Sequence, residues 1–207
     1  SGGAIHNLAN REDVNYSGNL LTVNGDQFLI FEKMAIEEAL LKLENSRAVL
    51  FGIEVDKEEN YNETILVNGQ LVDIEKNAKL KNYITFSGLG LIKLNGLKRV
   101  LGPTKFFQTV ANYKEEKVLM VTPSKMEYWD FGTADIYYRS MAKLFSMKAD
   151  NKCLFVDFLK RHNVKLEKIS SYLNVELSSV NLEGQGKFEN NSIVGCGKIQ
   201  KIFGHVF

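Results

Sequence analysis

The sequence predicts an α+β fold: a hairpin-built antiparallel sheet with three or more packed helices. Three observations carry the prediction. Asn-Gly pairs at 24–25, 68–69 and 95–96 each follow a short apolar run, and Asn-Gly accepts the positive φ that a two-residue hairpin turn needs. Apolar residues recur at helical spacing in further stretches. Strands and helices come in mixed order, without the regular alternation that builds a parallel sheet.

In chain order, residues 1–17 are polar and non-periodic and read as a loose arm, its opening Ser1-Gly2-Gly3 resembling a cloning remnant. Residues 18–207 then form a single α+β domain. Leu20–Val23 and Gln27–Phe31 flank the first Asn-Gly pair and predict a hairpin. Ile36, Ala39, Leu40 and Leu43 mark one face of a helix, and Ala48–Val55 reads as a buried strand. Thr64–Val67 and Gln70–Ile74 predict a second hairpin, and Leu91–Leu97 repeats the pattern a third time. Gly102-Pro103-Thr104 opens a short helix, with proline where its missing N–H costs little. Val118–Val121 is a strand. Thr133 caps a helix reaching about Met147, and Lys152–His162 makes another. Ser192–Val194 and Ile199–Phe203 are the last candidate strands.

Composition bounds the class. Of 207 residues, 44% are hydrophobic and 25% charged, ordinary values for a globular chain. The apolar runs fall short of a membrane span and no leader pattern opens the chain, which predicts a cytoplasmic protein with no membrane partner. Cys153 and Cys196 make neither a disulfide framework nor a zinc spacing.

Charge is unevenly distributed. Residues 76–125 hold ten basic groups against Glu115 and Glu116, a net +8, whereas residues 1–75 carry −9. Lysine and arginine release counterions from phosphates, and interleaved aromatics stack on unpaired bases. Lys93, Lys98, Arg99, Lys105 and Lys114, with Phe107 and Tyr113, are therefore the candidate nucleic-acid-binding residues. The reading is a non-catalytic protein that grips the backbone of a nucleic acid, single-stranded rather than duplex, with no catalytic residue, cofactor or metal ligand assigned. A second reading has the acidic 1–75 surface of one copy docking on the basic 76–125 surface of the next, giving a homo-oligomer. A third is a metal-dependent nuclease using Glu54, Asp56 and Asp73, since carboxylates can hold Mg²⁺.

Ile169, Ser170, Leu173, Asn174, Val175 and Val180 follow one another as apolar, small, apolar, turn and apolar residues. In that pattern the stretch 165–181 resembles a helix-turn-helix, which implies a DNA-reading helix at Glu176–Leu182. It departs from the family pattern at Glu183 and in having no Arg or Lys on that helix. Gly88-Leu89-Gly90 lacks the full phosphate-loop spacing and reads instead as a bulge or close strand packing. His6, His162 and His205 have no partners at catalytic spacing, and Trp129 reads as a core anchor.

Overall fold

The computed structural model describes residues 2–10, 18–57, 61–76, 78–100, 102–146 and 154–163. The first elements are α1 (Gly2–Ala9), β1 (Asn19–Thr22), β2 (Gln27–Phe31), α2 (Met34–Leu43), β3 (Ala48–Asp56), β4 (Glu63–Val67) and β5 (Gln70–Glu75). There follow β6 (Asn82–Lys93), α3 (Phe106–Thr109), β7 (Val118–Val121), β8 (Met126–Asp130), α4 (Ala134–Ser146) and α5 (Leu154–Arg161). The chain divides into two compact units, Ser1–Gly25 with Phe31–Tyr128, and Asp26–Ile30 with Trp129–Phe207.

The first unit is built on a six-stranded sheet in the order β1-β6-β3-β7-β5-β4. Its central strand is β3, whose first six residues are all buried, the pattern of a strand covered on both faces. β6 runs antiparallel to β3 on one side, and β7 runs parallel to it on the other. The sheet is therefore mixed, which corrects the expectation of a hairpin-built antiparallel sheet. The parallel pair arises because the chain leaves β3, passes through β4, β5, β6 and α3, and returns in the same direction, a long crossover that no turn motif announces. The expected layer of packed helices is corrected as well. The described helices have eight, ten, four, thirteen and eight residues, and the sheet dominates.

The three Asn-Gly pairs have three different fates. Asn68 (φ 50°) and Gly69 (φ 75°) close the predicted β4–β5 hairpin, with Val67 opposite Gln70. Asn24 and Gly25 are not among the residues with positive φ, and the strands on either side do not pair with each other. Instead β1 pairs with β6, and β2 pairs with β8 in a separate two-stranded sheet. After Asn95-Gly96 no strand follows directly. That loop is gripped by Arg47, whose guanidinium donates to the carbonyls of Lys93 at 2.7 Å and Asn95 at 2.8 Å and pairs with Glu116 at 2.7 Å.

The glycines of β6 and β3 mark an irregularity, as their sequence suggests. Register shifts between Leu50 and Gly52, Gly88 takes φ 83°, and the Ser87 hydroxyl donates to the Phe51 carbonyl at 2.7 Å. A Cβ on Gly52 would lie 2.6 Å from Met120 Sδ and 2.7 Å from Ile84 Cγ2, so glycine is what lets β3 carry those neighbours. The core gathers Ala48, Leu50, Leu71, Ile92, Val118 and Met120 with Ile5 of α1. The amino-terminal stretch read as an arm thus contributes a helix with a buried side chain.

In the second unit Trp129 is buried against Phe155, with ring centroids 4.9 Å apart, and Phe28 meets Phe131 edge-on at 5.7 Å. Thr133 caps α4 as predicted: its hydroxyl accepts from the Ile136 N–H at 3.3 Å and its carbonyl from the Tyr137 N–H at 2.7 Å. Tyr137 on that helix is 44% exposed. The helix-turn-helix-like stretch 165–181, the strands predicted at 192–194 and 199–203, both cysteines and His205 lie outside the described residues. No helix among the described residues is long and apolar enough to cross a membrane.

Candidate functional site

The second unit brings together two carboxylates that the sequence holds far apart. Asp26 leads into β2 and Asp130 ends β8. The Phe131 N–H donates to the Asp26 carbonyl at 2.9 Å, which fixes the two strand ends side by side. The chain then turns at Gly132. A Cβ on that glycine would lie 2.7 Å from Asp26 Oδ2 and 3.1 Å from Asp130 Oδ1, so both carboxylates border one small space that only a residue without a side chain leaves open.

The two acids differ in freedom. Asp130 is buried, and its Oδ1 accepts the Gly132 N–H at 2.8 Å while Gln27 Nε2 stands 3.4 Å from its Oδ2. Its carbonyl accepts the Ser140 hydroxyl at 2.6 Å, tying the strand end to α4. Asp26 is exposed, and its carboxylate has no hydrogen-bond or ion-pair partner among the described residues. One held carboxylate and one exposed carboxylate on a shared space suit a hard divalent cation, which takes oxygen ligands and commonly uses one or two carboxylates together with phosphate oxygens. Phe131, next to Asp130 in the chain, meets Phe28 edge-on, and its ring centroid lies 5.9 Å from that of Tyr137. Asp26 and Asp130 lie in separate stretches far apart along the chain, so no spacing announces the pair. The available signal was local: an acid at the start of one apolar strand, and Asp130 followed at once by Gly132 and the capping Thr133.

The residues singled out from sequence fall elsewhere. Lys93 ends β6 and donates its ammonium to the Glu44 carbonyl at 2.7 Å. Lys98 and Arg99 are exposed in the loop after Gly96, Lys105 is exposed before α3, and Lys114 is exposed after it. Of the seven, Phe107 and Tyr113 are brought into contact, ring centroids 6.3 Å apart, and both pack on the core with Phe86 and Phe106. The aromatics expected to receive bases are therefore spent on the fold's interior. Burial, with Asp73 beside the ring and accepting its hydroxyl, raises the Tyr113 pKa above the ordinary phenol value. Elsewhere in the basic stretch, Lys79 pairs with Glu75 at 2.9 Å and Lys125 with Glu32 at 3.0 Å. Glu54 is exposed on β3, and among the described residues no three His, Cys, Asp or Glu side chains form a metal-holding group. His6 is buried in α1 with neither ring nitrogen partnered among the described residues.

No family model matches the sequence, and no curated protein does. Solved structures do match in fold. HddC from Yersinia pseudotuberculosis aligns at a TM-score of 0.55 with 18% identity, covering 69% of this chain and 61% of that one. The same protein complexed with GMP-PN aligns at 0.54 with 18% identity and the same coverages. A protein from Bacillus anthracis assigned as a glucose-1-phosphate thymidylyltransferase, in complex with sucrose, aligns at 0.51 with 17% identity, covering 68% of this chain and 60% of that one. The chain thus spans about 60% of the length of these structures. The likeness is one of fold, shared with these structures. It overturns the expectation of a non-catalytic nucleic-acid-binding protein and of a nucleic-acid strand as its partner.

Proposed function

We propose that the chain belongs to an enzyme that transfers a nucleotidyl group to a sugar phosphate, with Asp26 and Asp130 as the phosphate-handling carboxylates. The observation that carries the reading is their convergence on the space at Gly132, within a fold like that of a glucose-1-phosphate thymidylyltransferase. In such a transfer, a phosphate oxygen of the sugar phosphate bonds to the α-phosphorus of a nucleoside triphosphate. The bond from that phosphorus to the bridging oxygen breaks, and pyrophosphate leaves. Both partners are polyanions, so two bare carboxylates would repel them. A divalent cation held by Asp26 and Asp130 would supply the neutralising charge and orient phosphate oxygens.

The chain's own residues divide the work. Asp130, locked by the Gly132 amide, sets a fixed ligand position. Asp26, exposed, can swing to meet a bound phosphate–cation pair. Phe131, between Asp130 and Gly132, and Phe28 give the site an apolar flank. Calorimetric titration of dTTP or GTP with and without Mg²⁺ tests the reading. Saturable binding that requires Mg²⁺ and is lost in Asp26→Asn and Asp130→Asn is expected. Because Asp26 is exposed, its variant keeps the fold. Nucleotide binding indifferent to Mg²⁺ and to both substitutions overturns the proposal.

A further inference from the structure

The first unit carries a second candidate site, a cleft of about 440 Å³ at the turn end of the β4–β5 hairpin. Its size lies within the range of small-molecule sites. Val67, Val72 and Leu119 are the apolar residues of its lining, and Lys42 of α2 and Lys117 just before β7 are the charged ones. Val67 is 55% and Val72 41% exposed, so apolar surface in the cleft is left to water. No carboxylate belongs to the lining. Lys117 has no side-chain hydrogen bond or ion pair among the described residues, while Lys42 pairs with exposed Glu38 at 2.7 Å.

The wall is anchored. The Gly69 carbonyl accepts the Met120 N–H at 2.8 Å, and Gln70 stands opposite Leu119 in the sheet, which ties the turn to β7. Two lysines and three apolar side chains lining one cleft complement a molecule that carries an anionic group on an apolar body. We propose that this cleft binds a small organic anion, its phosphate or carboxylate group between Lys42 and Lys117 and its apolar body against Val67, Val72 and Leu119. An anion alone would forfeit the apolar contact, and a neutral apolar molecule would forfeit the charge.

Amide NMR of the whole chain titrated with phenyl phosphate tests the proposal, with benzoate, inorganic phosphate and phenol as parallel arms. Saturable shifts at Val67, Gly69, Gln70 and Leu119 are expected with phenyl phosphate or benzoate, and at least tenfold weaker effects with inorganic phosphate and phenol. A response to phenyl phosphate alone assigns the anion as a phosphate, and a response to benzoate alone assigns it as a carboxylate. Lys117→Glu, exposed and therefore neutral to folding, should weaken the apparent affinity about tenfold or more, the scale of one charge-assisted contact. Shifts that are absent, that map elsewhere, or that survive Lys117→Glu overturn it. The site lies wholly in the first unit, so its failure leaves the Asp26–Asp130 proposal untouched.

Discussion

Replacing Gly132 by alanine separates the carboxylate pair from the fold that presents it. The new Cβ would sit 2.7 Å from Asp26 Oδ2 and 3.1 Å from Asp130 Oδ1, where carbon and oxygen normally keep well over 3 Å. Asp130 is held by the Gly132 amide at 2.8 Å and gives by only a few tenths of an ångström. Asp26 is exposed, so its carboxylate swings outward and relieves the clash. Folding should therefore lose no more than about 0.5–1 kcal/mol, the scale of a surface substitution. Cation binding should lose much more, because one ligand is displaced and the shared space is filled: a drop of about ten- to hundredfold, or roughly 1.4–2.8 kcal/mol. Titration with Mn²⁺, following the free-ion signal by electron paramagnetic resonance, measures the affinity, and denaturant unfolding measures the fold. A folded Gly132→Ala protein that binds Mn²⁺ as the parent does would refute the reasoning.

Three further outcomes follow from the first unit. Arg47→Met should cost about 2–3 kcal/mol, because it strands the Lys93 and Asn95 carbonyls and Glu116; the figure is held low because Glu116 is 36% exposed, and a urea midpoint within error of the parent would contradict the clamp. Gly52→Ala should cost about 1–3 kcal/mol by overpacking, and Met120→Ala beside it should recover part of that loss, since Met120 Sδ is what the new Cβ meets at 2.6 Å; strict additivity in the double-mutant cycle would argue against the close approach. The raised Tyr113 pKa makes the folded state hold the phenol proton more tightly than the unfolded chain does. Stability is then fully present below pH 10 and falls as pH rises through the folded value, so Tyr113→Phe should flatten the alkaline decline seen by thermal unfolding between pH 9 and 11, and an unchanged decline would remove Tyr113 as its cause.

What could be read in advance was local chemistry. Asn68-Gly69 closed its hairpin because both residues take positive φ, Thr133 capped α4, and the glycines around Gly88 marked an irregular strand. Asn24-Gly25 carries the same two residue types, yet its flanking strands join different partners, β1 on β6 and β2 on β8. Pairing is decided by such distant competition, to which turn chemistry is blind. The parallel β3–β7 contact was hidden for the same reason. At the level of the site, charge density along the sequence misled. The aromatics between the lysines face the core, whereas the carboxylate pair consists of single acids in separate strands, with no run or spacing to announce them.

The central claim is that Asp26 and Asp130 together present a divalent-cation site to a phosphate. Crystals of the protein grown with Mn²⁺ and a nucleoside triphosphate, and measured for anomalous scattering, test it at the atoms concerned. The account predicts a manganese peak within about 2.0–2.3 Å of an oxygen from each carboxylate, with a phosphate oxygen completing the contact. A peak bound elsewhere, or nucleotide seated with both carboxylates unengaged, would contradict it.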